Sequence, residues 1–359
     1  MPEGKYCKIG GDIKTIVGEY VEIGGVIKNV VTNAIEIGGA IKEISLGDRY
    51  VYTSESLNEE LYRLTGAGAE DWHYDLTVSD DTVIAVNEDG ESYWGVGVNL
   101  VKLNADGTLA WTFSRYGVLI TSITLENRSG VTYVYFGQFD GGVVCLLDAL
   151  TAVGEVWAVN VDVTFGPPVY ALAVDAANSL IYAGVGVAAL SKGVWRAALS
   201  TGTFVKIYTS AEDISALAVD MDGRVYSGDS AGNYRKISNA GYVYWTKTLT
   251  GSIVTIEIAH NGYGYLSCES EKKVYKFTAS TGVAIWNYAP APATSALAYR
   301  IAVDSSGNVY AVYRYLGGNS GNFIYKISKD GAFVWRWQSR VAVKFYGMAV
   351  TPGLEASGY

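Results

Sequence analysis

Residues 213–251 read DISALAVDMDGRVYSGDSAGNYRKISNAGYVYWTKTLTG. Four short strands are predicted in this stretch. Ser215 to Asp220 is small and apolar, and Met221-Asp222-Gly223 supplies a turn in which glycine is free to take positive φ. Arg224 to Ser227 alternates polar and apolar residues. After Gly228 to Gly232 a third strand covers Asn233 to Ile237, and Asn239-Ala240-Gly241 turns into a fourth, Tyr242 to Thr248. Tyrosine, valine and threonine occupy the strand positions, as a pleated, half-buried surface prefers. No segment has sustained helical periodicity.

The same unit recurs along the chain. LAVDMDGRVY (217–226) matches LAVDAANSLIY (172–182) and IAVDSSGNVY (301–310), with looser copies in VIAVNEDGESYW (83–94) and IEIAHNGYGYL (256–266). Third strands match as YRKI (234–237), VYKF (274–277), IYKI (324–327) and LVKL (100–103). Five fourth strands follow a glycine and carry a tryptophan four positions on: Gly68/Trp72, Gly107/Trp111, Gly241/Trp245, Gly282/Trp286 and Gly331/Trp335. Trp157 follows Gly154 by three, and the remaining unit offers only Gly202 and Phe204. Four strands repeating every 40–50 residues or so predict a propeller rather than a solenoid.

The first blade is split. GDRYVYTS (47–54), ELYRLT (60–65) and EDWHYDL (70–76) match second, third and fourth strands, and the missing first strand is YGMAVTPG (346–353) near the C-terminus. Such closure removes the open sheet edge between first and last blades. The other blades fall at about 81–115, 116–162, 168–208, 213–251, 252–290 and 296–340, giving seven. The expected fold is all-β: a seven-bladed propeller over 47–359, closed by a C-terminal strand, with an N-terminal β-rich repeat arm over 1–46.

That arm has its own period. Ile9, Ile23 and Ile37 each precede Gly-Gly at intervals of fourteen, and Ile13, Ile27 and Ile41 each precede lysine at the same interval. Apolar residues fall on both sides of the pleat, and a strand apolar on both faces expects to be covered on both. About 40 residues cannot supply that cover alone. The six isoleucines are therefore expected to mediate assembly with copies of the chain or a larger particle. A hairpin cap folded onto the propeller is the alternative.

Among 359 residues, 49% are hydrophobic, net charge is −9 and no basic run occurs, which argues against nucleic acid as a partner, and none is expected. Cys7, Cys145 and Cys268 have neither metal-type nor disulfide-framework spacing. No apolar run near the start is long enough for a signal peptide, and no 18-residue apolar span predicts a membrane crossing. His73 and His260 fall in different blades, so no histidine-based metal site or triad is expected. Asp220-Met221-Asp222-Gly223 and Asn87-Glu88-Asp89-Gly90 are better read as hairpin turns than as calcium loops.

The A-V-D…G-x-V-Y strand pair, the Y-K-I third strand and the G-x-x-x-W fourth strand resemble the quinoprotein-like (PQQ-like) repeat family of propellers over about 47–353. The resemblance implies that Trp72, Trp111, Trp157, Trp245, Trp286 and Trp335 dock between neighbouring blades. Quinoprotein dehydrogenases need a calcium-bound quinone, a catalytic aspartate and often adjacent disulfide-bonded cysteines. No two cysteines are adjacent here, so no cofactor is expected. The I-G-G-x-I-K repeats resemble segments of tail-associated proteins of bacteriophages and prophages.

Aromatic residues in or beside the loops that crowd one face of a propeller are the candidate binding residues: Trp94, Tyr116, Phe139, Phe165, Tyr288, Tyr313 and Tyr315. Exposed rings stack on sugars or anchor protein partners. The expected function is a non-enzymatic structural and binding protein of a virion or tail-like assembly. Its arm would anchor it, and its propeller would face a host surface. A glycan-active enzyme and a cellular scaffold propeller are the alternatives. Two or three carboxylates converging in one cleft would favour the enzyme.

Overall fold

Every blade carries one row of cross-strand partners, and that row explains the repeat. In five blades alanine on the first strand faces tyrosine of V-Y on the second, with Thr124 and Glu257 in its place in blades 3 and 6. That tyrosine faces a cation on the third strand in every blade but the third, which has Cys145, and the third-strand residue faces a tryptophan in every blade but the fourth. In blade 5 the row is Ala218, Tyr226, Lys236 and Trp245, and in blade 7 it is Ala302, Tyr310, Lys326 and Trp335. Opposed residues in an antiparallel ladder share a face. The four motifs are therefore one surface, running from the innermost strand to the rim.

The computed structural model describes residues 50–351 apart from 56–59, 77–81, 116, 150–151, 188, 260, 291–295, 316–322 and 339–344; for the arm it describes only the backbone of strands between residues 5 and 43. Seven four-stranded antiparallel sheets make the propeller. Blade 1 joins Phe345–Thr351 to Tyr50–Glu55, Glu60–Thr65 and Glu70–Asp75. Blades 2 to 7 cover 82–114, 120–160, 169–209, 214–248, 253–288 and 296–338. The predicted closure is present, with Ala349 opposite Tyr52 and Val350 opposite Val51.

The V-Y tyrosine is present in all seven blades. Tyr52, Tyr93, Tyr135, Tyr182, Tyr226, Tyr265 and Tyr310 are fully buried. In six blades the tryptophan of the same row meets this ring at 5.9–6.3 Å, and Lys236 and Lys326 stand 5.0 and 5.1 Å from the centroids of Tyr226 and Tyr310. Aspartate of A-V-D closes the turn below. Asp220 Oδ1 accepts the N–H groups of Asp222 and Arg224 at 3.1 and 2.9 Å, and its Oδ2 accepts the Tyr226 hydroxyl at 2.9 Å. Asp304 does the same for Ser306, Asn308 and Tyr310. Asn87 accepts the Glu91 N–H at 2.9 Å. These side chains are saturated by turn chemistry.

Blades are joined at the tryptophans. A methyl group placed on Gly107 would lie 2.8 Å from the Trp72 ring of the preceding blade. Gly202 stands so beneath Trp157, Gly282 beneath Trp245, Gly331 beneath Trp286 and Gly68 beneath Trp335, all with φ between +66° and +86°. Only glycine meets both demands, the left-handed backbone and the close ring. Trp335 Nε1 and Lys326 Nζ both donate to Gly66 O, at 3.1 and 2.9 Å, and Trp286 Nε1 and Lys276 Nζ both donate to Lys329 O, at 3.1 and 2.9 Å. The rings are half-buried rather than largely buried, because each lies on a rim strand with one edge toward solvent.

Two junctions depart. In blade 4 the position opposite Arg196 is Val205, not Phe204, and Phe204 packs inward with the core of blades 3 and 4. In that row it is Arg196 that reaches blade 5, donating to Asn239 O at 2.6 Å. Gly154 has no ring above it; Trp111 instead donates to the Asp148 carboxylate at 3.0 Å, and Lys102 pairs with the same group at 2.7 Å.

Residues 1–48 and 49–359 form two compact units. Six strands make the arm sheet, in chain order: Lys5–Ile9, Asp12–Val17, Tyr20–Ile23, Val26–Val31, Ala34–Ile37 and Ala40–Glu43. Register pairs Ile9 with Asp12, Ile23 with Val26 and Ile37 with Ala40, while Ile13, Ile27 and Ile41 face Lys8, Glu22 and Glu36. One fourteen-residue repeat is thus one hairpin plus its link to the next.

Candidate functional site

Strand order fixes which loops share a face. With four antiparallel strands per blade, second–third loops and inter-blade connections lie at one end, and the A-V-D and glycine turns at the other. On the first end, around blades 3 and 4, five large apolar side chains besides Val187 are between 45% and 86% exposed: Leu119, Phe139, Val163, Phe165 and Leu190.

Hydrogen bonds tie their loops together. Phe139 N donates to Leu119 O at 3.0 Å. A methyl group on Gly166 would lie 2.8 Å from Asp140 O, so the loops holding Phe139 and Phe165 touch backbone to backbone. Ser191 Oγ donates to Asp162 at 2.6 Å, which draws the Leu190 loop to the Phe165 loop and holds the Asp162 carboxyl below its usual range. Asp140 accepts the Gly142 N–H at 3.1 Å. Both acids near the patch are therefore spent on loop geometry.

The other aromatic candidates divide. Trp94 and Tyr313 are fully buried and are not binding residues. Trp94 packs with Tyr52 and Leu61 and donates to Ser92 Oγ at 2.8 Å; Tyr313 donates to Tyr288 O at 3.1 Å and stands edge-on to Tyr325 at 5.2 Å. Both lie on second strands covered by blades on either side, which loop assignment from sequence overlooked. Tyr288 is half-buried against Tyr325. Tyr116, His260 and the Tyr315 side chain lie outside the described residues, as do the side chains of Ile9, Ile13, Ile23, Ile27, Ile37 and Ile41.

Cys145 and Cys268 are free and buried, with thiols pushed up to about 11 by that burial, and so carry little thiolate near neutral pH. Cysteines that are never adjacent, together with A-V-D aspartates saturated by turn bonds, do not fit a quinone. Two groups escaped the sequence reading. Glu257 stands in the row of blade 6 where the other blades have alanine or threonine, and burial pushes its carboxyl up to about 8. Glu60, His73 and Asp75 gather on blade 1, and only strand register brings them together.

This architecture defines a seven-bladed β-propeller built from PQQ-like repeats. The sequence model of the family described as outer membrane protein assembly factor BamB matches residues 183–349. No curated protein matches the chain. Among solved structures, a protein of unknown function from Bacteroides caccae is 10% identical, with a TM-score of 0.53 over 85% of this chain and 99% of that one. The Cps50 (Swd1) β-propeller domain of Myceliophteria thermophila is 13% identical, with a TM-score of 0.61 over 73% of this chain and 87% of that one. At these identities the likeness is one of fold.

Proposed function

We propose that the chain is a non-catalytic binding and assembly protein whose propeller docks a macromolecular partner through Leu119, Phe139, Val163, Phe165 and Leu190. The observation that carries this reading is the patch itself: five exposed apolar side chains on four hydrogen-bonded loops of one face. Patches of this kind mark interaction surfaces. Leucine and valine beside only two phenylalanines suit a protein surface better than a glycan, which prefers flat rings with polar neighbours.

The arm completes the proposal. Its fourteen-residue hairpin repeat, with the resemblance to phage and prophage tail-associated segments, supports anchoring in a virion or tail-like particle. On this reading the propeller is displayed toward the host surface, and the protein is made in the host cytoplasm. The family match over 183–349 favours a second reading, a scaffold propeller of a cellular assembly.

Adsorption tests the docking face. Labelled full-length chain and a Phe139→Ser/Phe165→Ser variant are mixed with cells of the organism that carries the gene or, for a prophage, its relatives. Expected is a loss of adsorption of about tenfold or more at unchanged unfolding temperature, since central aromatic anchors dominate interfaces. Equal adsorption by the two chains removes the patch from the proposal.

A further inference from the structure

The outer hairpin of blade 1 sets two carboxylates against each other. Glu60 opens the third strand, Asp75 ends the fourth, and their register makes them direct partners. Like charges at opposed positions destabilise a strand pair. Among the described residues, neither pairs with a lysine or arginine. His73 is opposite Tyr62 on the same face, two residues before Asp75.

One donor atom each from Glu60, His73 and Asp75 lies within 4.8 Å of the other two. The side chains are held from behind. The Tyr62 hydroxyl donates to Glu60, and His73 Nδ1 lies 3.1 Å from a Glu70 oxygen. A carboxylate on one imidazole nitrogen fixes the ring and its tautomer and leaves the other nitrogen basic, the usual support of a metal-bound histidine. His73 and Asp75 are exposed, so an ion reaches them from solution.

We propose that Glu60, His73 and Asp75 form a surface site for a divalent transition metal of the zinc class. The donor set decides the class. One imidazole and two carboxylates suit zinc or its first-row neighbours, whereas calcium and magnesium take oxygen ligands in larger number. Bonds of about 2.1 Å in a tetrahedron set donors about 3.4 Å apart, so the exposed side chains close by roughly 1 Å on binding. A fourth position is left to water or to a donor from another molecule. The ion neutralises the opposed acids and clips the outer hairpin of the blade that closes the ring.

Equilibrium dialysis of the full-length chain against zinc chloride at low-micromolar free zinc tests this, beside His73→Ala and Glu60→Gln/Asp75→Asn. Expected is about one zinc per wild-type chain, held about tenfold more weakly or worse by both variants. Zinc should raise the unfolding temperature of the wild type alone, because a ligand bound only by the native state stabilises it. Circular dichroism without metal checks that the variants fold; a variant that fails this check is replaced by His73→Gln. The proposal is overturned if the wild type binds no zinc, if His73→Ala holds it equally well, or if excess calcium displaces it.

Discussion

Glu257 occupies a position that every other blade fills with alanine or threonine, opposite the buried Tyr265. One oxygen accepts the Val303 N–H of the next blade at 3.1 Å. Burial is the larger influence, and it places the carboxyl at about 8, above its ordinary 4.5. The residue keeps some accessible surface although protein surrounds the carboxyl. Raised in the folded state, the group keeps a proton that the unfolded chain releases. Its contribution is therefore complete below about pH 4.5 and declines as pH rises toward about 8, at no more than about 1.4 kcal/mol per pH unit. The unfolding temperature of the wild type should fall between about pH 5 and about pH 8, and Glu257→Gln should flatten that fall. Parallel curves for the two proteins would show that Glu257 titrates normally.

At the scale of the element, five of the seven blades grip the next through a tryptophan over a glycine turn. Its ring also rests on the tyrosine of its own row, as Trp286 does on Tyr265 at 6.3 Å. Trp286→Ala should cost about 3 kcal/mol, the lower end for a large aromatic because one edge faces solvent. Gly331→Ala should cost about 1–3 kcal/mol, because its φ of +86° is strained for any side chain and its methyl group would lie 3.0 Å from the Trp286 ring. Both effects have one source, so they should not add: in the Trp286→Ala background the glycine substitution should cost less, measured by urea unfolding. Strict additivity would mean that ring and glycine do not meet in solution. Blade 4, whose row ends in Val205, grips its neighbour through Arg196 instead, which makes the junction of blades 4 and 5 the place where a tryptophan is absent rather than displaced.

Over the whole molecule, closure is made twice at one seam. Strand 345–351 pairs with 50–55, and Trp335 of blade 7 stands over Gly68 of blade 1. Neither device uses the arm, whose strands form a sheet of their own. A chain beginning at Ser45 should stay soluble and unfold cooperatively, as judged by circular dichroism and light scattering. One ending before Phe345 should aggregate, because the second strand of blade 1 becomes an open edge. If the arm anchors the chain as proposed, Ile23→Asp with Ile37→Asp should abolish assembly of the full-length chain and spare the propeller, because each would put an unpaired charge into the proposed contact. Aggregation of the armless chain beside a monomeric full-length protein would place the arm in the propeller's own core.

Sequence alone determined the fold, because a propeller is specified locally and redundantly. Residues 213–251 contain a complete blade, with turn glycines, alternating strands and a terminal tryptophan all within 39 residues, and the copies fix the count. Even the split blade was legible, since YGMAVTPG lacks a following second strand and GDRYVYTS lacks a first. The candidate sites were not legible, because they depend on which surfaces neighbouring blades leave uncovered. Trp94 and Phe139 both lie near second–third loops, yet one is sealed between blades and the other stands in solvent. Glu60 and Asp75 stand on successive strands and oppose each other only through hairpin register. Strand propensity and turn chemistry act over a few residues; burial and charge proximity are set by packing across the ring, which only the tertiary structure decides.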